Sequence, residues 1–144
     1  MTDATDGPLR RVSETQQIVA ILGPNIFAWA VNRLPEGIGI DDVRYGDLIS
    51  VTEDDVFAYV AAHGFDQRVV AEDAVADDRI CIVTSACGWR VFYTERGTLS
   101  DESEFPSRND ARRDVVRRLM RGARIVLNHR YWHAHGLAFP CGDE

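Results

Sequence analysis

The chain has 144 residues, 45% hydrophobic and 27% charged, the size and balance of one ordinary globular domain with enough apolar material for a core. All sixteen basic residues are arginine, and against 23 acids they leave a formal net charge of −7. That balance argues against a nucleic-acid binder, which needs a concentrated positive stripe, and no apolar run approaches the length of a membrane span.

The charge is uneven along the chain. Residues 1–107 hold nineteen acids against eight arginines, a balance of −11, whereas residues 108–144 hold eight arginines against four acids, a balance of +4. Acidity of this kind suits a basic protein partner through complementary fields, and it equally serves solubility. The start, Met1-Thr2-Asp3-Ala4-Thr5-Asp6, carries acids where a signal peptide needs positive charge, so a cytoplasmic location is expected.

Residues 1–12 read as a polar, mobile tail. Ser13 and Gln16 form a capping-box pattern for a first helix carrying Ile18, Val19, Ile21 and Leu22, which Gly23-Pro24 interrupts. The spacing of Ile26, Phe27, Ala30 and Leu34 predicts a second helix ending near Pro35. Residues 36–50, with Gly37, Gly39 and Gly46 among acids, read as a loop or a short strand. Gly37-Ile38-Gly39 lacks the third glycine and the preceding strand of a dinucleotide site. Thr52 and Asp55 make a second capping box, and Val56, Tyr59 and Val60 give the third helix its buried face before His63-Gly64 closes it.

Ile80-Cys81-Ile82-Val83 is apolar on both alternating faces, the pattern of a central strand in which Cys81 is a small buried hydrophobe. After a turn holding Cys87, the next strand sends Trp89, Val91 and Tyr93 one way and Arg90, Phe92 and Thr94 the other. Glu95-Arg96-Gly97 supplies a turn, and Leu99 to Phe105 reads as an edge strand protected by charge. Ser107 and Asp110 cap a further helix with the stripe Ala111, Val115, Leu119 and Met120, and Arg112, Arg113, Arg117, Arg118 and Arg121 line its other faces. Beyond Gly122 the chain reads as a tail with an aromatic and histidine cluster, frayed over residues 137–144. The order helix, helix, helix, meander, helix implies an α+β fold: an antiparallel β-meander with helices packed on one face, in one domain over residues 13–136.

Three sets of residues are candidates for function. Asp41, Asp42 and Asp47, the first-turn acids Glu53, Asp54 and Asp55, and the loop acids Asp77 and Asp78 form the candidate partner-binding surface. The first-turn acids also complement the positive end of a helix, whatever else they do. The arginines after residue 107 suit phosphate, an acidic partner or this protein's own acids, and the last is the reading preferred. His129 and His133 share a helix face, with His135 and Cys141 in reach of the same point. That spacing matches no established zinc pattern, so no metal and no other cofactor is expected. Cys81, Cys87 and Cys141 match neither a metal knuckle nor a redox pair. The chain has no Gly-x-Ser-x-Gly elbow, phosphate-cradling Gly-Lys loop or zinc-protease pair, and no enzymatic activity is expected; Cys87 with His129 or His133 is an unspecific pairing.

The run from Gly88-Trp89 through Phe92-Tyr93-Thr94-Glu95-Arg96-Gly97, followed by Phe105 and the helix from Ser107 with Ala111, resembles the C-terminal part of small bacterial immunity proteins. More narrowly, it is similar to an actinobacterial immunity family found beside polymorphic toxins. The resemblance covers residues 88–120 and rests on the aromatic strand and its Glu-Arg-Gly turn. It implies a cytoplasmic protein without enzymatic activity that binds one cognate toxin domain and blocks its active site. A basic nuclease and a nicotinamide-dinucleotide-degrading enzyme are the kinds of toxin it implies. The other reading is a regulatory binding module that holds an acidic protein or a nucleotide on the Arg-rich helix.

Overall fold

Side-chain caps set where the helices begin. Ser13 Oγ accepts from the Gln16 amide at 3.2 Å and starts α1 (Glu14–Leu22), and Asn25 Oδ1 accepts from the Ala28 amide at 3.0 Å at the head of α2 (Ile26–Val31). The structure is a computed structural model that describes residues 13–137. The tail expected over 1–12, most of that expected over 137–144, and Cys141 lie outside the described residues.

The second helix is shorter than its apolar spacing implied. It stops at Val31, and the amides of Arg33 and Leu34 return to the carbonyls of Ala30 and Val31. Pro35 disfavours the helical region for Leu34, and the last turn tightens before reaching it. Residues 36–50 also differ from the expected loop or strand: they hold a 3-10 turn, Ile40–Asp42, and a one-turn helix, α3 (Tyr45–Leu48). Asp47 Oδ2 accepts from the Arg44 amide at 2.9 Å, and Asn128 Oδ1 accepts from the Tyr45 amide at 2.8 Å. The second bond spans 83 residues, so no local pattern announces it.

The helix α4 (Glu53–His63) follows its capping box as expected: Thr52 Oγ1 accepts from the Asp55 amide, and Asp55 Oδ2 accepts from the Thr52 amide. Gly64, at φ 81°, ends it. Three strands then form the antiparallel meander, β2 (Arg79–Ser85), β3 (Gly88–Glu95) and β4 (Thr98–Phe105). A short strand that sequence reading missed, β1 (Val70–Glu72), pairs parallel to β2 with Ala71 opposite Cys81. The order β1-β2-β3-β4 leaves β2 internal and β4 at an edge. Arg96 at φ 53° and Gly97 at φ 81° make the two-residue β3–β4 turn, whose twist matches its strands. Farther along β4, Ser103 pairs with Val91 and Ser100 with Tyr93, so Asp101 and Glu102 bulge opposite Phe92. Arg118 donates to the Asp101 carbonyl at 2.7 Å, and Arg90 pairs with the Glu102 carboxylate.

The last helix, α5 (Arg108–Ala134), is one element of 27 residues, and Gly122 lies within it rather than ending it. A glycine inside a helix costs about 1 kcal/mol. The stripe of Val115, Val116, Met120, Ala123 and Leu127, all buried at helical spacing on both sides of Gly122, outweighs that.

The described residues group into two compact units. One comprises Leu22–Pro24 and Thr52–Leu119. In its core Val70, Ile82 and Val91 of the sheet meet Ala111 and Val115 from the start of α5, with Phe65, Ile80, Trp89, Phe105 and Leu119 around them. Cys81, Phe92 and Thr94, on the opposite sheet face by alternation, are buried too. The other unit comprises Asn25–Val51 with the chain up to Ile21 and from Met120. Ile18, Ile21, Ile26, Ala30, Val43, Leu48, Ala123 and Leu127 are buried there. The buried Gln17 side chain accepts from the Ser50 amide at 2.7 Å and the Val51 amide at 3.3 Å. The class is α+β, as the element order implied. Among the described residues no helix is long and apolar enough to cross a membrane.

Candidate functional site

Of the acids expected to face a partner, most make hydrogen bonds or ion pairs within their own unit. Arg130 pairs with Asp41 at 3.1 Å, His135 Nε2 lies 3.5 Å from Asp42 Oδ1, and Asp47 caps α3. In the sheet-containing unit, Arg113 reaches Asp54 at 2.6 Å and Glu53 at 3.4 Å, while Arg117 reaches Glu53 at 3.1 Å. Asp55 is taken up by its capping box. Three pairs absent from the sequence reading complete this lattice: Arg108 forks onto Glu72 at 2.9 Å and Asp73 at 2.9 Å, and Arg112 reaches Glu72 at 2.6 Å. Arg118 pairs with Asp114, one helical turn before it. The arginines of α5 named here therefore meet this protein's own acids.

Several of these guanidiniums also lie over rings. Arg113 stands 4.2 Å from the centre of Phe57 and Arg108 stands 4.3 Å from that of Trp89. The stretch of α5 that looks most like an anion-binding face is consequently a structural seam that joins α4 and β1 to the helix.

Asp77 and Asp78 stand apart from this pattern. They occupy the loop before β2, where Asp77 Oδ1 accepts from the Gly97 amide at 2.9 Å and so ties the loop to the β3–β4 turn. That turn brings in Glu95, and the fields of the three carboxylates reach the Tyr93 phenol. Partial burial first, and then the negative fields of Glu95, Asp78 and Asp77, hold the Tyr93 hydroxyl above its ordinary pKa. All three acids are exposed, and none makes an ion pair among the described residues. Glu95 was not among the expected site residues. Its signal was its place two residues from Tyr93 at the mouth of a tight turn, which puts both side chains on one sheet face.

A direct check follows from that geometry. The isosteric change Asp77→Asn, Asp78→Asn and Glu95→Gln keeps a side-chain oxygen at position 77 as an acceptor but removes three negative charges. The phenolate then forms more easily, and the Tyr93 pKa is expected to fall toward its ordinary value. Phenolate absorbance titrated against a Tyr93→Phe reference reads the shift, and an unmoved titration would mean that the acids do not face the ring.

The remaining candidates are simpler. Cys81 is fully buried, with Sγ accepting from the Ala76 amide at 3.5 Å, and Cys87 is exposed in the β2–β3 turn. The His129 and His133 rings are parallel with centres 6.3 Å apart, and His135 stacks on Tyr131 at 4.2 Å. No group of three or more metal-ligating side chains converges among the described residues. No protein-family model matches the chain, and no curated protein or solved structure matches it significantly.

Proposed function

We propose that the protein is an immunity protein, which binds a cognate toxin domain in the cytoplasm and blocks its active site by contact, without chemistry of its own. The observation that carries this reading is the group at the sheet end: Asp77, Asp78 and Glu95, exposed and without a cationic partner among the described residues, around Tyr93. Strand β3 holds Tyr93 and Glu95, the Gly97 amide holds Asp77, and a tyrosine supplies contact area at low rotamer cost. Unneutralised carboxylates draw a basic domain, such as a nuclease, toward that end and reject acidic ones. The stretch that resembles the immunity proteins runs through Tyr93 and Glu95.

The acids that pair or cap internally make a poor test, because reversing Glu53, Asp54 or Asp55 breaks ion pairs and a capping box along with any contact. Neutralising the sheet end separates the two effects. The first experiment is co-expression with the toxic domain encoded next to this gene, read as growth rescue and co-purification. With that complex in hand, the Asp77→Asn, Asp78→Asn, Glu95→Gln variant is expected to associate about tenfold more slowly, with a shallower salt dependence. A Glu53→Gln, Asp54→Asn variant is expected to stay within about twofold, because exposed ion pairs contribute only about 0–1 kcal/mol to the fold. Equal association rates for the first variant and the parent would remove the sheet end from the reading. A folded protein that fails to rescue growth would remove the immunity function itself.

A further inference from the structure

We infer that the cleft beside β1 is a binding site for a small organic anion with an apolar body, whose charged head is held by Arg79. The inference does not depend on the immunity reading, although Ala76 and Arg79 of the cleft flank Asp77 and Asp78 in the same loop. An open cleft of about 680 Å³ runs along β1 between the end of α4 and the loop before β2. That volume falls within the roughly 300–1,000 Å³ of small-molecule sites.

Its charges decide the ligand class. Glu72 is the single carboxylate among the lining residues, and Arg108 and Arg112 already neutralise it. Arg68 is likewise satisfied, because its guanidinium forks onto Asp66 at 3.1 and 2.7 Å. Arg79 is different: it is half-buried, lines the cleft and makes no ion pair among the described residues. A half-buried guanidinium without a partner has lost part of its hydration, and a carboxylate or phosphate restores it through two parallel hydrogen bonds.

The main chain at Arg79 is also held in place before any ligand arrives. It sits at the start of the internal strand β2, paired with Thr94 of β3, whose Oγ1 lies 3.3 Å from the Arg79 carbonyl oxygen. The far wall is pinned as well, since Thr94 Oγ1 and Cys81 Sγ both donate to the Ala76 carbonyl. Beside Arg79 the apolar part of the lining includes Phe65, Ala71, Ala74 and Ala76, and His63, Gln67, Arg68 and Glu72 make the rest of it polar. A ligand that is all charge would waste those walls, and a neutral one would leave Arg79 unpaired.

The test uses purified protein and no toxin, so its failure leaves the immunity reading untouched. Benzoate, phenyl phosphate, benzyl alcohol and inorganic phosphate are titrated separately while backbone amide resonances are followed. At least one aromatic anion is expected to give saturable shifts confined to residues 63–79, about tenfold tighter than benzyl alcohol or inorganic phosphate. A preference between the two aromatic anions identifies the head group. Arg79→Gln is expected to weaken that binding about tenfold, and Arg79→Lys, which keeps the charge but not the fork, to weaken it less. The inference is overturned if neither aromatic anion saturates by about 20 mM, if benzyl alcohol binds as well as both, or if Arg79→Gln leaves the affinity unchanged.

Discussion

Gly88→Ala is expected to destabilise the protein by about 3–5 kcal/mol, read as a fall in the urea midpoint at unchanged slope. A Cβ at position 88 would lie 2.4 Å from the Phe105 carbonyl oxygen and 3.4 Å from Pro106 Cα. The backbone there, at φ 149°, is a conformation that side-chain-bearing residues rarely adopt. The neighbour that must move is main chain, so no rotamer change relieves the clash. Trp89 pairs with Phe105 in the register, and moving the Phe105 carbonyl strains that first β3–β4 pair. A loss below about 1 kcal/mol would mean that the close approach is not maintained in solution.

Phe92→Ala comes next, with an expected loss of about 3–5 kcal/mol, while Phe92→Leu should cost clearly less. The ring is 1% exposed, on the sheet face opposite the Val91 and Val115 core. Arg90 stands 5.1 Å from its centre and the Asp101–Glu102 bulge lies across from it. Truncation leaves a void that a hydrogen-bonded sheet cannot collapse to fill. Thermal or urea unfolding of the two variants decides the point, and near-equal stabilities would show that the site repacks freely.

How much of this was legible in sequence depends on how far each determinant reaches along the chain. The meander was legible because its signals are local: Ile80 to Val83 is apolar on both faces as an internal strand is, Arg96-Gly97 suits a two-residue turn, and Thr52 with Asp55 names a helix start. The strand β1 was not, because Val70-Ala71-Glu72 is too short to show a period and is defined by its parallel pairing with β2. Gly122 was given too much weight, since a lone glycine costs less than the buried stripe around it gains. The pairing of the candidate acids was hidden for a similar reason. Counting acids along the sequence cannot reveal that Glu53 meets Arg113 and Arg117 some sixty residues later, or that Arg108 closes on Glu72 and Asp73. Asp77 and Asp78 make no ion pair among the described residues, although the turn toward which their loop folds carries Arg96 beside Glu95.

The bulge in β4 has a bearing on how the protein behaves when crowded. A free sheet edge is a template on which one copy of a chain can extend the ladder of another, and repeated addition makes a fibre. At Asp101 and Glu102 the regular beat of outward amides and carbonyls is broken, and Arg118 occupies the Asp101 carbonyl. Two β4 edges brought together would pair for only a few residues before falling out of step, with acid facing acid. The strand that holds no fully buried residue thus serves as a built-in stop to end-on growth.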